Sequence, residues 1–281
     1  MSMPRIDAHQ HFWKIERGDY GWLTPELEPI YRDFRPRDYT PFLEAHAVAG
    51  TVLVQAAPTI AETEFLLSLA DENPFIKGVV GWVNFTAADA PDRIAALADH
   101  PRLVGLRPEI QDFPDGSWIL RPEMMPAFEA TARHGLTLDA LTLPRHLKHL
   151  LILLERYPDL RVVIDHGSKP EIRLGQFDGW AQDMRALARQ TSAYCKLSGL
   201  VTEASENWTV EDLKPYVDHL LAEFGPQRLV WGSDWPVCTL AASYGKWIST
   251  VEELLAGLSE AEASRVWHEN AVEVYRLEME G

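Results

Sequence analysis

Two histidines near the N-terminus are spaced so that they can act on one ligand. Residues 5–11 are predicted to form a strand, and His9 and His11 lie at its end. Side chains alternate between the two faces of a strand, so both imidazoles should point to the same side. There they can share a metal ion or contact one substrate. Asp7 is in phase with them one layer lower, where its carboxylate is expected to orient an imidazole.

Two further ionisable residues end later strand-like runs. His166 closes the run 161–166, and Asp234 closes the run 228–234. If these strands end beside the first one, a carboxylate meets three imidazoles. An aspartate can then take a proton from water while imidazoles or a metal polarise a carbonyl. Taken singly, Asp234 could equally cap the turn that follows it, so the prediction of hydrolytic chemistry depends on the whole set.

The elements that must position these residues alternate between strand-like and helix-like runs. Each strand-like run is short, rich in valine, isoleucine and leucine, and bounded by turn residues, which is typical of strands buried on both faces. Apolar residues recur at helical spacing between them. The predicted strands are 5–11, 50–56, 77–83, 103–108, 136–142, 161–166, 193–199 and 228–234, and the predicted helices are 62–73, 123–134, 145–158, 180–190, 210–224 and 250–256.

This order of elements predicts an α/β fold of the (β/α)8 type, also called a TIM barrel. Eight strands in 281 residues leave about 35 residues per unit, the size of one strand and one helix. A single domain spanning 1–281 is therefore expected, with its active site where the carboxyl ends of the strands meet. The alternative is a six-stranded open sheet, although the lack of a GxGxxG motif after the first strand counts against its dinucleotide-binding form.

Composition and charge exclude several classes of function. With 42 acidic against 26 basic residues, the formal net charge is −16, which disfavours nucleic-acid and anionic-membrane partners because both need a basic surface. The longest aliphatic run, 150–154, is too short to cross a bilayer, and no apolar signal region follows Met1. The two cysteines, Cys195 and Cys238, form no CxxC motif, so we predict a reduced, cytoplasmic protein.

Two segments are longer than the repeat requires and are rich in aromatic residues. The first, 12–42, is predicted to be a loop insertion after strand one, and the second, 235–247, follows strand eight. Both follow the carboxyl ends of strands, so their aromatic rings either shape the substrate pocket or only pack the loops against the barrel. Because Trp13 lies two residues beyond His11, it is expected to affect catalysis more than Trp22.

Four motifs resemble those of the amidohydrolase superfamily: IDAHQHFW, VIDHGSKP, VWGSDWP and the closing HENAVEVYRL. They lie at both ends and in the middle, so the resemblance covers essentially the whole chain. It is closest to a lactonase subgroup of amidohydrolase-related family 2 that depends weakly or not at all on metal and includes L-fuconolactonase and L-rhamnonolactonase. The resemblance implies a hydrolase of carbohydrate catabolism, such as L-fucose or L-rhamnose degradation, with catalytic positions at His9, His11, His166 and Asp234.

The resemblance also bears on metal binding. Binuclear amidohydrolases carry a bridging lysine on strand four and a histidine on strand five, whereas the predicted strands 103–108 and 136–142 contain neither. A two-metal site is therefore not expected. Two alternatives remain open: no obligatory cofactor, with imidazoles donating hydrogen bonds to the carbonyl, or one divalent ion, for which zinc suits the ligands best. The candidate metal ligands are His9, His11, His166 and Asp234.

The side chains expected around the substrate suit a neutral, hydroxyl-rich ring. They include a single well-placed cation, Arg107, whereas a dicarboxylate would need several. The expected partner is therefore a small sugar-acid lactone of the L-fucono- or L-rhamnono-lactone type, opened to its aldonate with Asp234 acting on water. The predicted substrate contacts are Trp13, Trp22, Gln55, Trp82, Arg107 and Glu109.

Other functions remain open at this level. The same barrel could open a pyrone or muconolactone dicarboxylate, decarboxylate an aromatic acid with a metal, or bind a sugar without catalysis. Lys196 and Asp139 are expected to form a buried ion pair between strands rather than to contact substrate. Sugar stereochemistry, ring size and oligomeric state are left open by the sequence pattern.

Overall fold

Eight parallel strands follow one another around a single sheet in the order of the sequence. The computed structural model describes residues 3–279. The alternation of strands and helices confirms the predicted (β/α)8 barrel. The strands are β1 (Arg5–Gln10), β2 (Val48–Val54), β3 (Ile76–Gly81), β4 (Leu103–Leu106), β5 (Thr137–Ala140), β6 (Val162–Ile164), β7 (Tyr194–Leu197) and β8 (Leu229–Trp231).

The last strand returns to the first and nearly closes the barrel. Gln10 pairs with Trp235 in a parallel bridge just beyond β8. The amide of His11 donates to the carbonyl of Trp235 over 2.7 Å, and the amide of Asp234 donates to the carbonyl of His9 over 2.7 Å. These bonds join the two chain segments that carry most of the candidate catalytic residues.

The side chains of the strands alternate between two apolar layers. On one face, small residues such as Val52, Val80 and Val163 pack together inside the barrel. On the other face, residues such as Leu53 and Leu138 pack against the surrounding helices. Burial on both faces explains why the strands read as short, nearly continuous apolar runs in the sequence.

Helices lie between the strands and after the last one. Among residues 3–279, none of them combines the length and the apolarity needed to cross a bilayer. They are α1 (Pro36–Ala45), α2 (Ile60–Glu72), α3 (Ala90–Ala98), α4 (Met125–Arg133), α5 (Leu147–Arg156), α6 (Asp178–Gln190), α7 (Leu200–Glu203), α8 (Val210–Phe224), α9 (Tyr244–Leu254), α10 (Glu260–Ser264) and α11 (Asn270–Tyr275).

Five of the eleven helices within residues 3–279, α1, α3, α7, α10 and α11, have no counterpart among the predicted helices, and a sixth, α9, begins earlier than predicted. Helix α1 lies within the aromatic segment predicted as a loop, and it begins at a proline, whose fixed backbone suits the first helical position. Helix α3 has no counterpart among the predicted helices because only Ala90 and Ile94 are buried, so its apolar stripe is too short to show as a period. Helix α9 begins at Tyr244 rather than at 250, because the side chain of Ser243 caps it.

The prediction for Asp7 is wrong because β1 changes register within its own length. Its pairing with β2 shifts between Asp7 and Gln10, which interrupts the alternation of faces before His9. The Asp7 carboxylate instead accepts hydrogen bonds from the hydroxyls of Tyr39 in α1 and Tyr244 in α9, at 2.8 and 3.2 Å. Asp7 therefore ties the outer helices to β1 and does not orient an imidazole.

Candidate active site

The four predicted catalytic side chains meet at the carboxyl ends of β1, β6 and β8. The Nε2 atom of His11 lies 3.3 Å from Asp234 Oδ1, and Nε2 of His9 lies 3.7 Å from the same oxygen. The rings of His9 and His166 are 4.5 Å apart between centroids. His11, His166 and Asp234 line a cavity of about 450 Å³, while His9 is fully buried beneath them. A carboxylate and three imidazoles therefore surround one point.

The backbone at His166 and Asp234 adopts a conformation that residues other than glycine rarely occupy. Their φ angles are +54° and +58°. In this left-handed region Cβ is crowded by the backbone, at a cost of about 1–2 kcal/mol per residue. Strain of this kind concentrates at functional sites, where the surrounding structure maintains it. Here it turns the chain out of each strand directly at a candidate catalytic residue.

The ionisation states of the site suit hydrolysis at neutral pH. Burial alone would raise the pKa of Asp234, but nearby His166, His11 and His9 hold that pKa well below its ordinary value. Burial lowers the pKa of His166 to about 4, although the carboxylates of Asp234 and Asp165 oppose the shift. Near pH 7, Asp234 is therefore an anion and His166 a neutral imidazole.

The hydrogen bonds of His11 direct one of its nitrogens towards a proton donor or a metal ion. Its Nδ1 lies 2.8 Å from the carbonyl oxygen of Val54, which can only accept, so Nδ1 carries the proton. Nε2 then presents a lone pair to the Asp234 carboxylate, 3.3 Å away. Either a proton on Nε2, which would donate to the carboxylate, or a metal ion has to lie between these two lone pairs. His9, His11 and Asp234 offer ligand atoms within 4.8 Å of one another, so the donor set fits one divalent ion.

A network of buried charges supports His9 from below. The Nζ atom of Lys196 lies 3.1 Å from His9 Nδ1 and 3.0 Å from Asp165 Oδ1. It also pairs with Asp139, which confirms the predicted ion pair. The guanidinium of Arg107 lies 3.3 Å from both Asp165 Oδ2 and His9 Nε2. A neutral imidazole has one acceptor nitrogen, so one of the two cations donates to His9, and both neutralise the carboxylates around it.

The cavity wall contains three of the predicted substrate contacts, namely Trp22, Arg107 and Glu109. It also contains Lys169, which belongs to the VIDHGSKP motif but was not predicted to contact substrate. Its position three residues after His166 could have indicated this role, because so short a turn keeps Lys169 close to the site. The other lining residues are Asp19, Gly21, Ala56, Pro58, Gln111, Asp112, Leu141 and Val237.

The structure does not place the other three predicted contacts in this cavity. Trp13 is fully buried, and its indole N–H donates to the carbonyl of Arg32 over 2.7 Å. Gln55 is also fully buried, and its amide donates to the backbone carbonyl of Arg107 over 3.0 Å. Trp82 lines a neighbouring cavity instead. Trp13 and Gln55 therefore do not contact the substrate as expected from sequence. They support the segments that line the cavity.

The aromatic segment after β1 is fastened beside the cavity by its hydrogen bonds. The indole N–H of Trp22 donates to the carbonyl of Ala56 over 2.7 Å. The hydroxyl of Tyr20 donates to the buried carboxyl group of Glu62 in α2 over 2.6 Å. Trp22 thereby stays on the cavity wall with 40% of its surface exposed, while Trp13 packs edge-on behind it at 5.5 Å between ring centroids.

Replacing Trp22 or Trp13 by alanine should therefore have different effects. Trp22→Ala removes a ring from the cavity wall, so KM should rise or kcat/KM fall with little change in melting temperature. Trp13→Ala empties a buried site and should lower the free energy of unfolding by about 3 kcal/mol. This order reverses the expectation from sequence. Steady-state kinetics and thermal melts of both variants test this prediction. It would be contradicted if Trp13→Ala lost activity at unchanged stability while Trp22→Ala stayed fully active.

Stability should decrease as the pH falls from 7 towards 4, in part because of His166. Unfolded His166 has the ordinary pKa of 6.5, whereas burial in the folded protein lowers the pKa to about 4. Between these values the unfolded chain binds the proton and the folded protein does not, so acid favours unfolding. From pH 7 to pH 5, His166 is expected to lower the free energy of unfolding by about 2 kcal/mol.

Denaturant unfolding of the wild type and of His166→Gln at pH 7 and pH 5 measures this contribution. The variant should lose about 2 kcal/mol less than the wild type between the two pH values, since glutamine does not titrate. An equal loss in both proteins would show that the folded protein does not keep His166 neutral.

Comparisons with known proteins agree with the barrel fold and identify the family. The family described as amidohydrolase matches residues 6–277. L-fucono-1,5-lactonase from Burkholderia ambifaria is 44% identical over 278 residues, covering 98% of this chain and 96% of that protein. L-fucono-1,5-lactonase from Burkholderia multivorans is 35% identical, covering 99% and 97%. A crystal structure of an amidohydrolase from Burkholderia multivorans with bound zinc is 35% identical and superposes with a TM-score of 0.92, covering 98% and 100%.

Proposed function

The chain belongs to the amidohydrolase family, and we propose that it hydrolyses a sugar-acid lactone of the L-fucono-1,5-lactone type to the open aldonate. The observation that carries this proposal is the meeting of Asp234 with His11 and His166 at a cavity of about 450 Å³. Relatives at 44% and 35% identity, matched over nearly their whole length, are L-fucono-1,5-lactonases. The expected partner is a small neutral lactone.

In the proposed reaction Asp234 takes a proton from water, and the water oxygen attacks the carbonyl carbon of the lactone. His166 faces the carbonyl oxygen: the Ser198 hydroxyl, 2.9 Å from its Nδ1, can donate to that nitrogen, and in this tautomer Nε2–H is free to donate to the substrate. The same N–H stabilises the negative charge that develops on that oxygen. Asp234 then gives its proton to the ring oxygen as the carbon–oxygen bond breaks. The carboxylic acid formed loses a proton to solvent and leaves as the aldonate.

One divalent ion on His11 and Asp234, with His9 as a third ligand, would add Lewis-acid polarisation of the carbonyl. Zinc suits imidazole and carboxylate ligands, and the similar amidohydrolase from Burkholderia multivorans contains zinc. His9 is the weakest of the three ligands because its Nδ1 faces Lys196 and its Nε2 faces Arg107. These contacts support loose binding of an ion rather than a permanently metallated site.

The purified protein is expected to carry at most one divalent ion per chain. A second ion would have to bind near His9, Asp165 and His166. There the carboxylate of Asp165 is already paired with Lys196 and Arg107, at 3.0 and 3.3 Å. Elemental analysis after dialysis against metal-free buffer gives the count. Two tightly held ions per chain would contradict this account of the buried network.

The charges around the cavity favour a neutral ring over a dicarboxylate. The guanidinium of Arg107 is already engaged by Asp165 and by the carbonyl of Gln55. Lys169 adds a second cation that the argument from sequence did not include. Asp112 on the same wall offsets it, together with Asp19, which is paired with Arg17 at 2.6 Å, and Glu109, which is charged only part of the time because burial raises its pKa to about 7. Carboxylates accept hydrogen bonds from sugar hydroxyls and repel further negative groups, so they suit a polyol lactone.

A pH-indicator assay tests the proposal. Neutral L-fucono- and L-rhamnono-lactones are compared with a muconolactone dicarboxylate, each with and without a chelator. Acid release from a neutral sugar lactone, lost in Asp234→Asn, supports the proposal. Hydrolysis of the dicarboxylate alone would overturn the substrate class. Carbon dioxide release from an aromatic acid without lactone hydrolysis would point to the decarboxylase alternative, and sugar binding without turnover would point to a non-catalytic barrel.

Two expectations from sequence remain predictions within this proposal. One is that 1–281 forms a single amidohydrolase-like domain. The other is that the protein acts in the cytoplasm, with which its two buried, unbridged cysteines agree.

A further inference from the structure

A second cavity opens beside the catalytic one. Its volume is about 630 Å³, larger than the 450 Å³ of the catalytic cavity. The two cavities share three lining residues, Pro58, Glu109 and Asp112, so they are adjacent. A ligand of two linked rings can therefore extend from one cavity into the other.

The second cavity combines aromatic surfaces with unused hydrogen-bond donors. Trp82 and Trp118 both line it, and Phe113 stacks on Trp118 at 3.7 Å between ring centroids. Within residues 3–279, the hydrogen bonds of Trp82 use its backbone N–H and C=O, with Thr63 as partner. Those of Trp118 also use only its backbone, although 94% of this residue is buried. Within the described residues neither indole N–H has a hydrogen-bond partner, so both can donate to a ligand. Binding pockets typically combine an aromatic surface with a few polar groups of this kind.

The charges of this cavity select against anions. Glu109, Asp112 and Glu123 line it together with one cation, Arg121. The Arg121 guanidinium lies 4.0 Å from the Glu123 carboxylate, so its charge is partly offset. Burial, with the neighbouring Asp112, raises the pKa of Glu109 to about 7, although Arg107 opposes the shift. A carboxyl group that is protonated part of the time can donate to a hydroxyl as well as accept from one.

We propose that the second cavity is a binding subsite for a neutral sugar ring linked to the lactone, so that the protein accepts glycosyl-aldonolactones as well as single-ring lactones. The placement of the lactone ring in the catalytic cavity rests on the proposed lactonase function. The outer ring lies against Trp82 and the exposed Phe113, and the indole N–H groups of Trp82 and Trp118 donate to its hydroxyls. Glu109 and Asp112 lie between the cavities and can contact hydroxyls of both rings.

Paired substrates test the subsite. KM is measured for an aldonolactone and for the same lactone carrying one neutral glycosyl substituent, with the wild type, Trp118→Phe and Asn84→Ala. Trp118→Phe keeps an aromatic ring and removes the N–H, and Asn84→Ala removes an exposed amide from the same cavity. Trp267→Phe is the matched control, since it makes the same change in a buried tryptophan that lines neither cavity.

Loss of one neutral hydrogen bond should raise KM for the glycosylated lactone about fivefold in Trp118→Phe, with KM for the single-ring lactone unchanged. Trp267→Phe should change neither value. Equal KM values of the wild type for the two lactones, together with no effect of Trp118→Phe and Asn84→Ala, would overturn the subsite while leaving the lactonase function standing.

A binding measurement separates the subsite from the proposed reaction. Calorimetric titration with a glycosyl alditol, a neutral reduced disaccharide, needs no turnover. Weaker binding to Trp118→Phe than to Trp267→Phe would support the subsite even if no lactone is hydrolysed. Absence of binding to the wild type, in a protein that hydrolyses only single-ring lactones, would overturn it.

Discussion

Asp234→Asn is expected to lower kcat by a factor of about 10² to 10⁴, the range for loss of general acid–base catalysis, while the fold is kept. Asparagine has nearly the same shape as aspartate but cannot take a proton from water. The Asp234 carboxylate lies 3.3 Å from His11 and within the field of His166, so its ionised form is the one that the site stabilises. Steady-state kinetics of the purified variant on the best lactone, with circular dichroism for the fold, provide the measurement.

Glu203→Gln is the matched control for this variant. Glu203 belongs to α7, its pKa is raised by burial, and its carboxyl group lies close enough to Asp234 for the two charges to interact. It does not belong to the described wall of the catalytic cavity. The control should therefore retain most of the activity. An Asp234→Asn protein with more than about half of the wild-type kcat would remove Asp234 from the mechanism.

Lys196→Met is expected to lower the free energy of unfolding by about 5 kcal/mol, the upper end for breaking a buried ion pair. The ammonium group of Lys196 is fully buried and pairs with the carboxylates of Asp139 and Asp165. Methionine fills a similar volume but leaves both carboxylates with less compensation. Tyr275 donates to Asp139 over 2.8 Å, and that single neutral donor cannot replace a cation.

Denaturant unfolding compares this variant with Lys214→Met. Lys214 is exposed and pairs with Asp218 at 2.7 Å on α8, so the same substitution should cost less than about 1 kcal/mol there. The double variant Lys196→Met/Asp139→Asn should cost less than the sum of its single changes, since one unpaired charge is removed. A loss of under 1 kcal/mol in Lys196→Met would mean that the buried carboxylates do not need this lysine.

Replacing Lys196 should also affect catalysis, which the loss of a purely structural ion pair elsewhere would not. Lys196 lies 3.1 Å from His9 Nδ1, and His9 in turn lies 3.7 Å from Asp234. At temperatures where Lys196→Met stays folded, kcat should therefore fall more than KM changes. Lys214→Met should alter neither constant.

The features that sequence predicted well are those that a local pattern controls. Every predicted strand overlaps an observed one, because a buried parallel strand needs only a short β-branched, apolar run between turns. His166 and Asp234 were found because each directly ends such a run, and parallel strands in a barrel all end at one rim. Helix α3 escaped prediction for the converse reason, since two buried positions do not make a recognisable period.

The chain's own pattern thus determined the barrel, the order of its strands and the residues at their carboxyl ends. Tertiary structure decided which side chains face the ligand. Alternation placed Asp7 with the imidazoles, but the register shift in β1 turned it towards Tyr39. Distance along the chain favoured Trp13, but the bond from Trp22 to Ala56 put Trp22 on the cavity wall. The physical reason is that strand ends are set by local periodicity, whereas register and loop paths are set by hydrogen bonds between residues far apart in sequence.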